Sequence, residues 1–594
     1  MNARLIPLLL LSGLAAAQSP PDLRVGAAFH AFEHLYDYGK QAEAAAACGA
    51  TVIYATGLGS DGYTGLPAPE EWAAHLADSR AYAAHAKNLG IPTVLGYLCA
   101  TSIVGLDTFD AHWTPELRAE CGTAPASWLQ QDANGDPLPS WYGGDYRPAC
   151  MNNPGWLAYQ RFMVRAQIGS GHDGIFFDNP TVHMDGCYCP HCMEKFAGFL
   201  RAAGVEVAEN STNALRVLAK ERPEDFLRFR ATTGRDFLAA MREQARLLNP
   251  HAVVTANNSL NNTAVLFSQC HTYGYCIPEM ARAEDFVVIE DMGAQPRMLS
   301  NGKTAECGPT YAQLHGIIHG KPLVAVTIAD NDYHTPPNLV RLAMIEAAAH
   351  KTVYMLWSTW PEEQRPGMIA AVRPYADWLR SHTELLENSR PRNDVTLFLP
   401  FRRWVETKEC AVSGIAAALT RANVQYEVVD EEKLPAALDH AGVLLAESPE
   451  VFSGSERKRL PAFGAAGGRF VDASAKNWLD GLREAVAAPA LALDAPPTVR
   501  GVVRDTDTQT VLFLYNLHAE RLSSFEDRVT PAENLTARVR VPFSSVGSVA
   551  LSSVDPETVS GPVPHEIEHG AGGTLVTVRI PRLHTGMMLI IGKE

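Results

Sequence analysis

The sequence predicts an α/β protein of three units: a (β/α)8 TIM barrel over 22–390, a flavodoxin-like α/β unit over 391–494 and an all-β sandwich over 498–594. Three observations carry this. Eight short apolar runs alternate with helical stretches up to about residue 390. A second, shorter alternation begins after Arg390-Pro391-Arg392. Beyond Ala495-Pro496-Pro497 the helical period vanishes and short strand-like runs remain. The chain has 594 residues, more than a single hydrophobic core organises.

The eight expected strands are Leu23–Phe29, Thr51–Tyr54, Pro92–Tyr97, Gly174–Asp178, Ala252–Asn257, Asp285–Glu290, Pro322–Ile328 and Thr352–Trp357. Each is almost continuously apolar, as strands covered on both faces must be. Ala-rich segments with helical spacing lie between them, among them Glu70–Leu89 and Pro223–Leu248. An open doubly wound sheet fits less well, since eight units run in succession and no G-x-G-x-x-G follows the first strand.

The second unit is expected to contain strand Asp394–Pro400, helix Val412–Ala422 and strands Gln425–Val429, Ala441–Ala446 and Arg469–Val471. Its order is similar to that of a glutamine amidotransferase. The only cysteine there, Cys410, lies ahead of the first helix rather than on a strand-to-helix elbow, so a structural role is expected. In the third unit, Thr510–Asn516, Thr536–Val541, Ser548–Leu551, Thr574–Ile580 and Met587–Ile591 are the expected strands.

Charge and termini narrow the function. The formal net charge of -16 repels phosphate backbones, so nucleic acid is excluded as a partner and a neutral sugar is compatible. Arg4, the apolar run Leu5–Leu14 and Ala15-Ala16-Ala17 form a secretory signal pattern, so residues 1–17 are expected to be removed and the chain to be secreted. No later segment is long and apolar enough to suggest a membrane span. The 11 cysteines leave at least one outside any set of intrachain disulfides.

Polar and aromatic residues collect where the expected strands end, the end at which barrels build active sites. They are His30 after the first strand, Tyr54, Tyr97, Asp178-Asn179, Asn257, Glu290, Asp330 and Asp332, and Trp357 and Trp360. Asp178 closes an apolar run and should project into the barrel mouth. Glycosidic chemistry needs a second carboxyl across the sugar. Glu290 is the choice, because a glutamate ending an apolar run is costly without a task or a partner. Its bland reading is a salt bridge to Arg297 or Lys321, and Asp330 and Asp332 are its competitors. Trp141, Tyr142, Trp357 and Trp360 are candidate stacking surfaces for sugar rings, although each alone is as easily explained by packing.

Cys187-x-Cys189-x-x-Cys192 has a spacing that suits Zn²⁺, with Cys150 the natural fourth ligand and His183 and His191 behind it. A disulfide with one free thiol is the competing reading. A site rich in thiolates has little Lewis acidity, so any zinc is expected to be structural, and no catalytic cofactor is called for.

These segments carry a resemblance. CYCPHCMEKF, after a strand ending in Asp-Asn, and LAMIEAAAHKTVYMLW (Leu342–Trp357) are similar to segments of the family 42 β-galactosidases. Those enzymes share the domain order of barrel, amidotransferase-like trimerisation domain and small β domain. The resemblance implies a carbohydrate substrate and a homotrimer. Where that family has Asp-Asn-Glu, with the glutamate as acid/base, this chain has Asp178-Asn179-Pro180, and Asp330 and Asp332 stand in the region of its nucleophile; the family's chemistry therefore does not transfer. Cys150–Trp156, Asp173–Asp178 and the cysteine motif more closely resemble the group designated hypothetical glycosyl hydrolase family 6. The fourth-strand motif also resembles the α-L-fucosidases, which implies that Asp178 is the nucleophile of a retaining enzyme and leaves Glu290 as acid/base by position. The expectation is a secreted, exo-acting O-glycosidase. The alternative, prompted by Pro180, is a barrel that binds glycan without cleaving it.

Overall fold

The computed structural model describes residues 27–30, 38–55, 66, 68–122, 124–140, 143–260, 263–291, 295–328, 332, 334–356, 361–570 and 572–594. The expected signal segment 1–17 lies outside them.

Eight parallel strands form the first sheet: β1 (Ala27–His30), β2 (Ala50–Ala55), β3 (Thr93–Cys99), β4 (Gly174–Asp178), β5 (Val253–Ala256), β6 (Val287–Asp291), β7 (Leu323–Thr327) and β8 (Thr352–Leu356). Their spatial order is β5-β4-β3-β2-β1-β8-β7-β6, so every strand lies beside its neighbours in sequence and β1 lies beside β8. The two end strands also meet. Asn257, just after β5, forms a parallel bridge with Val288 of β6, and Asn258 N donates to Val288 O at 2.9 Å.

Continuous apolar strands must be covered on both faces. One face of these strands packs on itself through Val52, Tyr54, Leu95, Phe176, Val288 and Val326. The other is covered by helices, including α1 (Pro69–Asn88), α2 (Pro154–Gly169), α3 (Pro190–Ala202), α4 (Pro223–Leu248), α5 (Gly308–Ile317), α6 (Pro337–Ala349) and α7 (Arg365–Ser381). Each of these helices has proline in its first turn, where the missing N–H costs nothing. β4 and β5 approach closely: a Cβ on Gly174 would lie 2.1 Å from the carbonyl oxygen of Val253, so only glycine fits there.

A second parallel sheet follows, of β9 (Val395–Phe398), β10 (Tyr426–Val429), β11 (Val443–Ala446) and β12 (Arg469–Asp472), in the order β10-β9-β11-β12. Its strands are parallel and alternate with helices, as in an α/β unit. Burial pushes the Cys410 thiol up to about 12, which removes the thiolate an amidotransferase nucleophile needs.

The last part of the chain is antiparallel. β13 (Val499–Asp505), β14 (Gln509–Asn516), β15 (Ala532–Val541), β16 (Val546–Ser552), β17 (Gly573–Leu583) and β18 (Gly586–Lys593) supply two sheets whose side chains share one apolar cluster around Val503, Leu512, Leu535, Val578 and Leu589. Strand Leu491–Asp494, expected within the second unit, instead pairs with Thr536–Val539 of β15. Arg390 and Pro391 pair with β13. The chain therefore crosses to the antiparallel sheets before the Pro-rich segment, because backbone pairing rather than composition decides where a strand belongs.

Candidate active site

The site forms at the C-terminal ends of β3 to β6. The GIFFD sequence of β4 is buried throughout and delivers Asp178 to the sheet's end, where the residue is 8% exposed. Three side chains among the described residues donate to its carboxylate. Tyr97 Oη donates to Oδ2 at 2.7 Å, Asn179 Nδ2 to Oδ2 at 2.9 Å and Asn257 Nδ2 to Oδ1 at 3.0 Å. Three convergent donors are the arrangement in which a buried carboxylate keeps its charge compensated.

Asn179 holds its place through an unusual backbone. Its φ is +50°, a left-handed conformation that asparagine tolerates better than most residues. Thr101 Oγ1 donates to its carbonyl at 2.5 Å, as does Thr181 N at 2.7 Å. The loop that turns away from β4 is thereby fixed with the Asn179 amide on Asp178. Local backbone strain of this kind collects at functional sites.

Asn257 extends β5 by one residue, its N–H donating to Phe177 O at 2.9 Å. Its side-chain amide donates to Asp178 and lies near enough to the half-buried Glu290, at the end of β6, to act on it. Glu290 is pushed up to about 8, first by burial and then by the negative charge of Asp178; the hydrogen bond from Asn257 opposes the shift. Both causes favour the protonated form of Glu290 beside Asp178. Neither Arg297 nor Lys321 pairs with it: Arg297 donates to Gln295 O, and Lys321 acts on Glu284.

The other expected site residues divide. Tyr97 and Asn257, expected to touch sugar, both donate to Asp178. Tyr54 is fully buried, its ring stacked on Phe176 with centroids 4.7 Å apart, so it packs beneath the site rather than lining it. Asp332 turns toward the antiparallel part of the chain. It forms an ion pair with Arg521, accepts from Ser524 Oγ at 2.7 Å and accepts from His334 N at 2.9 Å. His30 is described only as backbone in β1, beside Tyr54 of β2. Trp141, Asp330, Trp357 and Trp360 lie outside the described residues. Thr101 went unnoticed in the sequence, since a threonine beyond a strand carries no signal until its carbonyl partner is known.

The four expected cysteines do converge. The sulfurs of Cys150, Cys187, Cys189 and Cys192 all lie within 4.8 Å of one another and are buried. The Cys150–Cys192 and Cys150–Cys189 separations of 3.4 and 3.5 Å are too long for disulfides and near the ~3.8 Å edge of a tetrahedron with ~2.3 Å Zn–S bonds. Asn152 N, Gln131 N and Cys192 N point at Cys150, Cys187 and Cys189, as backbone donors do around metal thiolates. The donor set fits a metal ion. All eleven cysteines are free.

No family model matches this chain, and no curated protein matches it. Solved structures do. It is similar to α-L-fucosidase isoenzyme 2 from Paenibacillus thiaminolyticus, with a TM-score of 0.65 and 12% identity over 96% of this chain and 100% of that one. It is similar to a GH42 β-galactosidase from G. stearothermophilus in a catalytic-mutant form, at 0.61 and 10% over 97% and 100%. A β-galactosidase from Bacillus circulans sp. alkalophilus matches at 0.59 and 12% over 96% and 100%. The fold is glycoside hydrolase-like. Nothing in these matches supports the narrower label of hypothetical glycosyl hydrolase family 6. No helix among the described residues is long and apolar enough to cross a membrane.

Proposed function

We propose that this protein is a secreted, retaining O-glycosidase whose eight parallel strands close into a (β/α)8 barrel, with Asp178 as nucleophile and Glu290 as acid/base. One observation carries the reading: Asp178 ends β4 and Glu290 lies near the end of β6, on either side of Asn257, and the charge of Asp178 acts on Glu290. A double displacement asks for a carboxyl separation of ~5–5.5 Å, against ~6.5–9.5 Å for an inverting enzyme that must admit its water.

In the first step Asp178 attacks the anomeric carbon while Glu290 gives its proton to the leaving oxygen. Glu290, now a carboxylate, takes a proton from water in the second step, and that water's oxygen releases the sugar from Asp178. The Asp178 charge keeps Glu290 protonated before attack and ceases to do so once the ester forms. The four-cysteine cluster, in this reading, holds a structural Zn²⁺ that pins the loop after β4. Exo-action and a trimeric assembly belong to the same proposal and rest on the likeness in domain order.

Turnover of aryl α- and β-fucosides and galactosides by the wild type, Asp178→Asn and Glu290→Gln tests it. A loss of several orders of magnitude in Asp178→Asn, with azide rescuing one variant, supports the assignment. Full turnover in both variants refutes it. Glycan binding without turnover of any glycoside would favour the second reading, a non-catalytic binder, for which both Asp178 oxygens being already engaged is the motivating fact.

A further inference from the structure

A cavity of about 680 Å³ lies at the opposite ends of the strands from Asp178 and Glu290. Leu323 and Thr352, the first residues of β7 and β8, form part of its wall, together with residues of β10 and β13. Its volume is that of a metabolite site. In a chain of net charge -16, this wall carries six Lys or Arg side chains and two glutamates.

Among the described residues, four of those cations form no ion pair. Arg504 is fully buried, and among the described residues no carboxylate pairs with it. Its guanidinium donates to the carbonyls of Ala348, Leu386 and Ser389, and among the described residues its Nε has no acceptor. Among the described residues Lys321, Lys351 and Lys433 likewise form no ion pair; Lys351 and Lys433 donate to the carbonyls of Glu387 and His315. Arg392 and Arg500, by contrast, are neutralised by Asp505 and Glu306.

These groups repel one another. Lys351 is lowered by burial and then by Arg504, with Glu387 opposing in part. His315 is lowered to about 4 chiefly by burial, with Lys351, Arg504 and Lys433 adding to the effect, and His350 to about 3 by burial, His315 and Arg504. A buried arginine without a counter-ion is expensive, and a wall of mutually repelling cations is the environment an incoming anion relieves.

We propose that this cavity binds a small organic anion, one bearing a carboxylate or phosphate on a body of metabolite size, independently of the Asp178 site. Arg504 and the lysines would meet its charge, and the neutral imidazoles of His315 and His350 would each offer an N–H or a lone pair.

Calorimetric titration at constant ionic strength tests this directly, with sodium glucuronate, glucose 6-phosphate, inorganic phosphate and neutral glucose. The proteins are the wild type, Asp178→Asn and Lys351→Gln/Lys433→Gln, whose altered residues are not fully buried and leave Arg504 in place. The expected result is saturable binding of at least one anion and none of glucose. That affinity should persist in Asp178→Asn and fall at least tenfold in the double lysine variant; which probe binds identifies the anionic group. Absence of saturable binding by all three anions overturns the proposal. So does affinity unchanged in the lysine variant, or affinity lost in Asp178→Asn.

Discussion

Asn257 donates its side-chain N–H to Oδ1 of Asp178 at 3.0 Å, and the same side chain opposes the rise at Glu290. One neutral side chain thus influences both carboxyls. Replacing it by alanine should cost about 10²–10³-fold in kcat/KM, as loss of a positioned donor does. The Asn257 bond opposes the rise at Glu290, so Asn257→Ala should also move the basic limb of the pH–rate profile upward. An unmoved limb would show that the amide does not act on Glu290.

Activity itself should fall as pH rises through about 8, because Glu290 must be protonated to act as the acid. Glu290→Gln should abolish that limb for substrates that need acid assistance. Aryl glycosides with good leaving groups should suffer less in this variant than natural disaccharides.

Stability should follow a related slope. Glu284 and Glu346 are fully buried and, chiefly through burial, pushed up to about 8. A carboxyl raised on folding binds its proton more tightly in the native state. Its contribution is complete below the ordinary glutamate range, near 4.5, and is lost as pH rises through about 8. Each group should cost on the order of 1.4 kcal/mol per pH unit within that window. Chemical denaturation between pH 5 and 9 measures the slope, and Glu284→Gln should make it shallower.

Tyr97→Phe removes the O–H that Asp178 accepts at 2.7 Å. Turnover should fall about 10–100-fold, from weaker positioning of the nucleophile, with a stability change of about 1 kcal/mol. Asp332→Asn should instead leave kcat within about threefold, since that carboxylate serves Arg521 and Ser524 rather than the site. Comparable losses in the two variants would contradict this division.

The purified protein should contain about one zinc per chain, held by four thiolates. Metal analysis of the wild type beside Cys189→Ser measures it, and the variant should lose the ion and several degrees of thermal midpoint. Metal-free wild type with an unchanged midpoint would leave the cluster as four packed thiols.

Much of this molecule was legible in its sequence. β4 is Gly174–Asp178 in both readings, and α4 is Pro223–Leu248 in both. Apolar runs and Pro-led helices are local signals, written in neighbouring residues. The cysteine cluster was equally legible, since three of its four members lie within six residues. The roles of Tyr97, Asn257 and Asp332 were not. Each is a polar residue after an apolar run, and sequence treats them alike. Only the parallel packing of β3, β4 and β5 aims the first two at Asp178, and only the contact with residues 521–524, about 190 positions later, draws Asp332 away. The same holds for the unpaired cations around Arg504. A sequence determines the order of its strands through local patterning. Which charges meet, and which are left without a partner, is decided by long-range packing, because electrostatic interactions depend on distance in space and on burial rather than on separation along the chain.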